Sequence, residues 1–313
     1  MATFRLQISS ISRSAGRRAT AAAAYRAGER VRDERSGELH NFSRRRDVLH
    51  TEIFLPQQPG AQAAEWAQSR ERLWNTAEHA EKRHSARVAR EFEVNLPAEL
   101  PPLARIGLAR SFALELSQRY RIAVDLAVHA PRPDSDPRNF HAHLLATTRE
   151  VTPTGLGAKA GLDMAPRERR QRELPDHRQE YINVRERWAL LTNEALRAAN
   201  LEARVDHRSL AAQGIDREPQ PRIPLAHLKM EQRGVRSELA ARLRAAYRER
   251  VARRLEQPRD RGAEPARDSA PADLEAVRRR AREEWLRMRG QPEVAPAHRE
   301  EAALHPADDE LSR

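Results

Sequence analysis

Hydrophobic and polar positions alternate at the start of the chain, where Phe4, Leu6 and Ile8 are separated by other residues, and this period of two predicts a first strand. The loop SSISRSAG leads into TAAAAYRAGERVRDE, rich in helix formers, with Thr20 placed to cap the N-terminus. Residues 47–55 (DVLHTEIFL) predict a second strand closed by Pro56. Residues 62–84 carry a helical pattern through Trp66, Leu73 and Trp74 with charges opposite. Residues 88–96 read as a third strand and 101–119 as a helix whose apolar face holds Leu103, Ile106, Ala113 and Leu114. A fourth strand is expected over 122–129 and a fifth over 140–148. The order β-α-β-α-β-α-β-β predicts an α+β fold, with a central, mostly antiparallel five-stranded sheet flanked by helices.

Beyond residue 150 the strand pattern stops. The loop TPTGLGAKAGLD precedes an Arg-rich stretch and a helix over about 176–200, and 205–224 reads as loop and turn. Residues 230–257 predict a charged helix, 258–272 a linker rich in Pro and charge, and 273–289 a second charged helix. The expected division is therefore a compact domain over 1–229, a charged helical extension over 230–289 and a disordered tail over 290–313.

Composition narrows the chemistry. The chain has 313 residues and no cysteine, which excludes disulfides, thiolate-bound metal and thiol catalysis. No run of 18 apolar residues occurs and the start MATFRLQISS is polar, so a soluble, cytoplasmic protein without membrane insertion is expected. The formal net charge is +11, from 57 Lys+Arg against 46 Asp+Glu, but only Lys82, Lys159 and Lys229 are lysines. An arginine skew of that kind also follows from a GC-rich coding sequence, so charge alone does not identify a nucleic-acid partner.

Three histidines carry the strongest signal. His141 and His143 are two apart in a strand and share a face, and His129 closes the preceding strand. The turn-rich segment APRPDSDPRNF between them suits a hairpin that brings His129 across from the other two. Three converging neutral imidazoles make a divalent-metal site with positions left open for water or substrate. Glu91 and Glu93 share the other face of the third strand from Phe92 and Val94, and either could act as general base or orient a ligating imidazole. Tyr25 follows a Ser/Arg-rich loop, and a phenol oxygen is a suitable nucleophile for a metal-centred phosphate reaction. Arg13, Arg17 and Arg18 in that loop, and Arg149 after the histidine strand, are candidate DNA-phosphate contacts. His79 and His84 near the end of an amphipathic helix, and His207 in a polar loop, are not read as ligands, and Trp66, Trp74 and Trp188 read as core.

Four segments together resemble the MobA/MobL family of plasmid mobilisation relaxases, the MobQ type of the HUH endonucleases. SISRSAGRRATAAAAYRAG resembles the motif around the family's nucleophilic tyrosine, and EKRHSARVAREFEVNLPAEL the segment with its active-site glutamate. VDLAVHAPRPDSDPRNFHAHLLATTRE resembles the three-histidine motif, and VDHRSLAAQGIDREP a stretch near the end of the relaxase domain. The resemblance covers about residues 1–235. It implies site- and strand-specific nicking of single-stranded DNA at an origin of transfer. Tyr25 would attack the scissile phosphodiester, keep the 5′ phosphate and release a 3′ hydroxyl. His129, His141 and His143 would hold Mg²⁺ or Mn²⁺, with Glu91 or Glu93 assisting, although imidazole also suits Zn, Ni and Cu. It further implies relaxosome accessory proteins and a type IV coupling protein as partners, in a bacterial cytoplasm, with possible translocation alongside the DNA. No GxxxxGK[ST] occurs after residue 235, so unwinding is expected from another protein. The charged helices within 230–289 then read as a solvated extension, or as a docking surface for accessory or coupling proteins. A metal-dependent phosphodiester hydrolase using water, and a non-catalytic DNA-binding mobilisation accessory, are the alternatives.

Overall fold

The computed structural model describes residues 2–57, 64–133 and 135–256; the expected linker, second charged helix and tail lie outside the described residues. Strands β1 (Leu6–Ser12), β4 (Val48–Phe54), β5 (Arg87–Asn95), β6 (Val124–His129) and β7 (His141–Thr147) form one sheet. Its order is β1-β5-β7-β6-β4, and every neighbouring pair is antiparallel. Helices α1 (Ala19–Ala27) and α2 (Arg70–Ala80) cover one face, and α3 (Pro102–Tyr120) and α5 (His177–Ala198) the other. The α+β expectation and its five strands hold.

Alternation along each central strand feeds two cores. Phe92, Val94, Leu126, Val128 and Leu144 face Phe112 and Leu116 of α3 and Trp188 of α5, with the Phe112 and Trp188 rings 5.0 Å apart. Ala89 and Leu145 point the other way, with Ile11, onto Ala19, Ala22 and Ala23 of α1 and Leu73, Trp74 and Ala77 of α2. Strand β6 is buried at every position because helices cover both of its faces. On the α1 side its Asp125 accepts from Arg70 Nε (2.8 Å) and Trp74 Nε1 (2.9 Å), so a carboxylate buried to 4% exposure is paired.

Several boundaries differ from the sequence reading, each for a local reason. Thr20 does not cap α1. The helix begins at Ala19, whose N–H donates to Glu78 Oε1 of α2 (2.7 Å), while the Thr20 hydroxyl donates to Asp33 (2.6 Å). A carboxylate from another helix thus satisfies an orphan donor and faces the positive end of the helix dipole. α1 also stops at Ala27, because Gly28 turns left-handed at φ 67°. The following residues form a hairpin, β2 (Arg30–Arg32) with β3 (Leu39–Asn41), turned by Asp33, whose Oδ1 accepts from the Ser36 amide and hydroxyl. The expected helix over 62–84 is a 3₁₀ turn (Glu65–Gln68) followed by α2, with Ser69 as its cap.

Strands do continue past residue 150: β8 (Arg149–Thr152) and β9 (Gly155–Lys159) form a tight hairpin. The sequence GLGAK hides it because glycine leaves no apolar alternation to read. A short helix, α4 (Pro166–Gln171), precedes α5. The helix expected over 230–257 is two: α6 (Leu225–Gln232) and α7 (Glu238–Glu256), broken at Gly234 (φ 78°), with the Ser237 hydroxyl accepting from the Ala240 amide. Residues 229 and 230, on either side of the expected domain boundary, both lie in α6. No helix among the described residues is long and apolar enough to cross a membrane.

Candidate functional site

The register of β6 against β7 sets His129 directly opposite His141, and Ala127 opposite His143. All three imidazoles emerge on the α1 face of the sheet, with ring centroids 5.0 to 5.3 Å apart. One nitrogen from each lies within 4.8 Å of the others, and no other such group occurs among the described residues.

The second nitrogen of each ring has an acceptor that fixes its proton. His129 Nε2 donates to the Arg26 carbonyl (2.7 Å), His141 Nδ1 to the Asn139 carbonyl (3.0 Å), and His143 Nδ1 to Glu91 Oε1 (2.8 Å). Because carbonyl and carboxylate oxygens only accept, lone pairs are left on His129 Nδ1 and on Nε2 of His141 and His143. Burial pushes His129 down to about 3, aided by the nearby His143, Arg45 and His141 charges and opposed by the Arg26 carbonyl. His141 is lowered as well, first by burial and further by the charges of His143 and Arg132. Imidazoles kept neutral are what a cation requires of its ligands, so the donor set fits a divalent metal.

The two glutamates separate. Glu91 is 5% exposed and receives His143 Nδ1, Arg26 Nε (2.6 Å) and the Ser9 hydroxyl (3.4 Å). Burial alone would raise its pKa, yet the His143 hydrogen bond and the Arg26 charge outweigh it and hold the carboxyl at about 2. A carboxylate so firmly ionised is suited to orienting an imidazole rather than to taking a proton near neutrality. Glu93 stands opposite His143 in the β5–β7 register but pairs with Arg5 (2.8 Å).

Tyr25 sits in the last turn of α1, 38% exposed. Its oxygen accepts from Arg132 Nη2 (3.0 Å), the Arg45 guanidinium lies 4.2 Å over its ring, and Phe42 meets it edge-on at 5.2 Å. Arg45 is itself fixed, donating to Asp47 Oδ1 (2.8 Å) and to the Tyr25 carbonyl (2.6 Å). The next residue, Arg26, ties the tyrosine to the histidines twice: its carbonyl holds His129 and its guanidinium holds Glu91, which holds His143.

The four arginines from the sequence reading part company. Arg13 donates to Glu78 (2.9 Å) and to the Glu81 carbonyl (2.5 Å), and its side chain is 8% exposed. Arg149 donates to Glu81 (2.7 Å) and to the Gly157 carbonyl (2.9 Å). Both guanidiniums hold α2 against its neighbours, Arg13 from a buried position and Arg149 from one 27% exposed. Arg18 lies 3.3 Å from Asp33, whereas Arg17, 46% exposed, reaches to 3.9 Å from Glu91 beside the histidines. Arg26, Arg45, Asp47 and Arg132 escaped the sequence reading. Adjacency to Tyr25 was a signal for Arg26, but nothing local distinguishes the other two arginines among so many.

The MobA/MobL family model matches residues 17–233. Mobilization protein MobL of Acidithiobacillus ferridurans is 38% identical over 254 residues, covering 74% of this chain and 65% of that protein. A probable mobilization protein MobA of Bifidobacterium longum is 32% identical over 250 residues, covering 70% of this chain and 42% of that one. The chain thus spans just under two thirds and under one half of the length of these relatives. A structure solved to explain vancomycin resistance transfer in Staphylococcus aureus is 30% identical with a TM-score of 0.55, covering 66% of this chain and 100% of that one. The family match takes in Tyr25, Glu91 and all three histidines, and by it the chain belongs to the MobA/MobL family.

Proposed function

We propose that this protein is a metal-dependent DNA relaxase, which nicks one strand at an origin of transfer through a 5′-phosphotyrosyl intermediate during plasmid mobilisation. The observation that carries this reading is the double tie through Arg26, which couples a half-exposed tyrosine to three clustered imidazoles on one sheet face. Neither part alone would be specific; together they support a nucleophile acting beside a Lewis acid. The relatives' names, mobilization and conjugal transfer proteins, agree with it.

In this reading His129, His141 and His143 would hold a divalent cation, Mg²⁺ or Mn²⁺, whose chemistry there would be Lewis-acid polarisation. Glu91 keeps the His143 ring in its ligating tautomer, and the Arg26 and Asn139 carbonyls do the same for His129 and His141. Arg45 and Phe42 hold the Tyr25 ring, so its oxygen stays aimed while the DNA docks. Tyr25 Oη attacks phosphorus, the bond to the 3′ oxygen breaks, and the phosphotyrosyl ester stores the bond for later rejoining. Single-stranded origin DNA is the substrate; accessory relaxosome proteins and a coupling protein complete the assembly in the bacterial cytoplasm.

The test uses labelled single-stranded oligonucleotides tiling the DNA that flanks the gene, incubated with the protein and Mg²⁺ or Mn²⁺ and run under denaturing conditions. A relaxase yields an SDS-resistant protein–DNA adduct that Tyr25→Phe abolishes. Cleavage without an adduct would instead mean water is the nucleophile, and an adduct that survives Tyr25→Phe would remove this tyrosine from the chemistry.

A further inference from the structure

Among the described residues, the side chain that hydrogen-bonds the Tyr25 oxygen is a guanidinium and not a base. Arg132 Nη2 donates to Oη at 3.0 Å, from the connection between β6 and β7. Arginine stays charged and has no lone pair to offer, so Arg132 cannot act as a base; it can only attract negative charge.

The two arginines at the tyrosine differ in how far they are committed. Arg45 has its donors on Asp47 and the Tyr25 carbonyl, so it is fixed in place and serves the ring. Arg132 is exposed, and no carboxylate pairs with it among the described residues, which leaves most of its five donors available. Its backbone is nonetheless anchored. The Ser135 amide (3.0 Å) and hydroxyl (2.9 Å) donate to the Arg132 carbonyl, and the Ala130 amide donates to the Asp47 carbonyl (2.8 Å). The loop carrying Arg132 is thereby tied to the residue that anchors Arg45.

We infer that Arg132 is a catalytic residue, which holds the Tyr25 oxygen in the free protein and takes hold of the phosphoryl oxygens as the tyrosine–phosphorus bond forms. This rests on the proposed relaxase reading. As the Oη–P bond forms and the P–O3′ bond breaks, the phenolic proton ends, in net terms, on the departing 3′ oxygen, and Arg132 neither gains nor loses one. The phosphodiester carries one negative charge before and after, but at the five-coordinate stage the equatorial oxygens carry more. A guanidinium already within hydrogen-bond reach of Oη is within reach of those oxygens without reorganising, and its fork matches two of them. Arg132 would thus act from the side of the nucleophile, where its guanidinium already meets Oη.

The experiment measures single-turnover adduct formation on the adduct-forming oligonucleotide from the tiling set, with Arg132→Ala, Arg132→Lys and Tyr25→Phe in the full chain. Arg132→Ala is expected to slow adduct formation by about 100-fold, the usual effect of losing one transition-state donor. Mn²⁺ affinity and affinity for the same oligonucleotide should stay at the wild-type level, and Arg132→Lys should restore part of the rate. If Arg132→Ala forms adduct at the wild-type rate while Tyr25→Phe forms none, the inference fails and the relaxase reading stands. If oligonucleotide binding falls as much as the rate and saturating DNA restores it, Arg132 is a docking contact and the inference likewise fails. An adduct retained by Tyr25→Phe overturns both.

Discussion

Arg26 has two jobs at the level of single residues, and Glu91 shares one of them. The Glu91 carboxylate sits between an arginine that anchors it and a histidine that it orients, at 2.6 and 2.8 Å. Glu91→Gln keeps the shape but cannot accept from both partners with full charge. Losses of 10- to 100-fold in metal affinity are typical when such an orienting partner is changed, and about that is expected here. Glu93→Gln should change affinity much less, since Glu93 spends itself on Arg5. Mn²⁺ titration by calorimetry below the unfolding temperature checks this, and equal losses in the two variants would reject the division of labour. That division could not be read from the sequence. Glu91 and Glu93 share a face of β5, and what separates them is Arg26 on α1 and Arg5 before β1, both brought in by tertiary contacts. The histidines were legible because spacing in a strand, and a turn-rich link between strands, are local properties. Arg132 was not, because only the folded hairpin brings it to Tyr25.

Elements show a similar contrast between local and long-range causes. The five sheet strands were readable from alternation, whereas the short hairpins were masked, one by glycine-rich β9 and one by helix-forming residues after Gly28. Gly28 decides where α1 ends and so where Tyr25 points. It is left-handed at φ 67°, and a Cβ there would meet Val48 Cγ2 at 3.1 Å. Gly28→Ala is therefore expected to destabilise the fold by roughly 1–2 kcal/mol, the left-handed penalty for a side chain, and to reduce adduct formation by shifting the last turn of α1. Urea unfolding measures the first effect. A variant as stable as wild type would show that the turn is not under conformational strain.

The β8–β9 hairpin is held through Glu81, which receives Arg149 Nε (2.7 Å) and Lys159 Nζ (2.6 Å). Burial acts to raise the pKa of Glu81, but those two partners outweigh it and the net shift is downward. A lowered folded-state pKa means that the unfolded chain binds the proton more readily. The stabilisation is thus complete above the unfolded value near 4.5 and is lost as pH falls through the lowered folded value. Unfolding midpoints followed from pH 7 to pH 3 should show a smaller acid loss in Glu81→Gln than in wild type. Parallel curves would mean that other carboxylates carry the acid sensitivity.

For the whole molecule, the fold explains why a net charge of +11 says so little by itself. Arg13, Arg26, Arg45, Arg70, Arg90 and Arg119 are each engaged with a carboxylate and at most 13% exposed, so they hold elements together instead of offering charge to a polyanion. On the proposed relaxase reading, the number of phosphates the protein neutralises is set by the exposed remainder near the site. Arg17 is in that remainder, 46% exposed beside Glu91, while Arg13 from the same loop is 8% exposed and paired. For single strands the log affinity falls with log salt by about 0.7 per phosphate neutralised. Arg17→Ala should accordingly flatten that slope by about 0.7 and leave the unfolding midpoint unchanged. Arg13→Ala should do the reverse, leaving the slope alone and destabilising the fold, because it leaves the Glu78 carboxylate at 2% exposure without its cationic partner. Oligonucleotide binding across a salt series, with thermal unfolding of the same preparations, separates the two. If Arg13→Ala flattened the slope while Arg17→Ala did not, burial and pairing would be the wrong guide to which arginines meet the DNA, and the strand would have to enter on the α2 side of the loop.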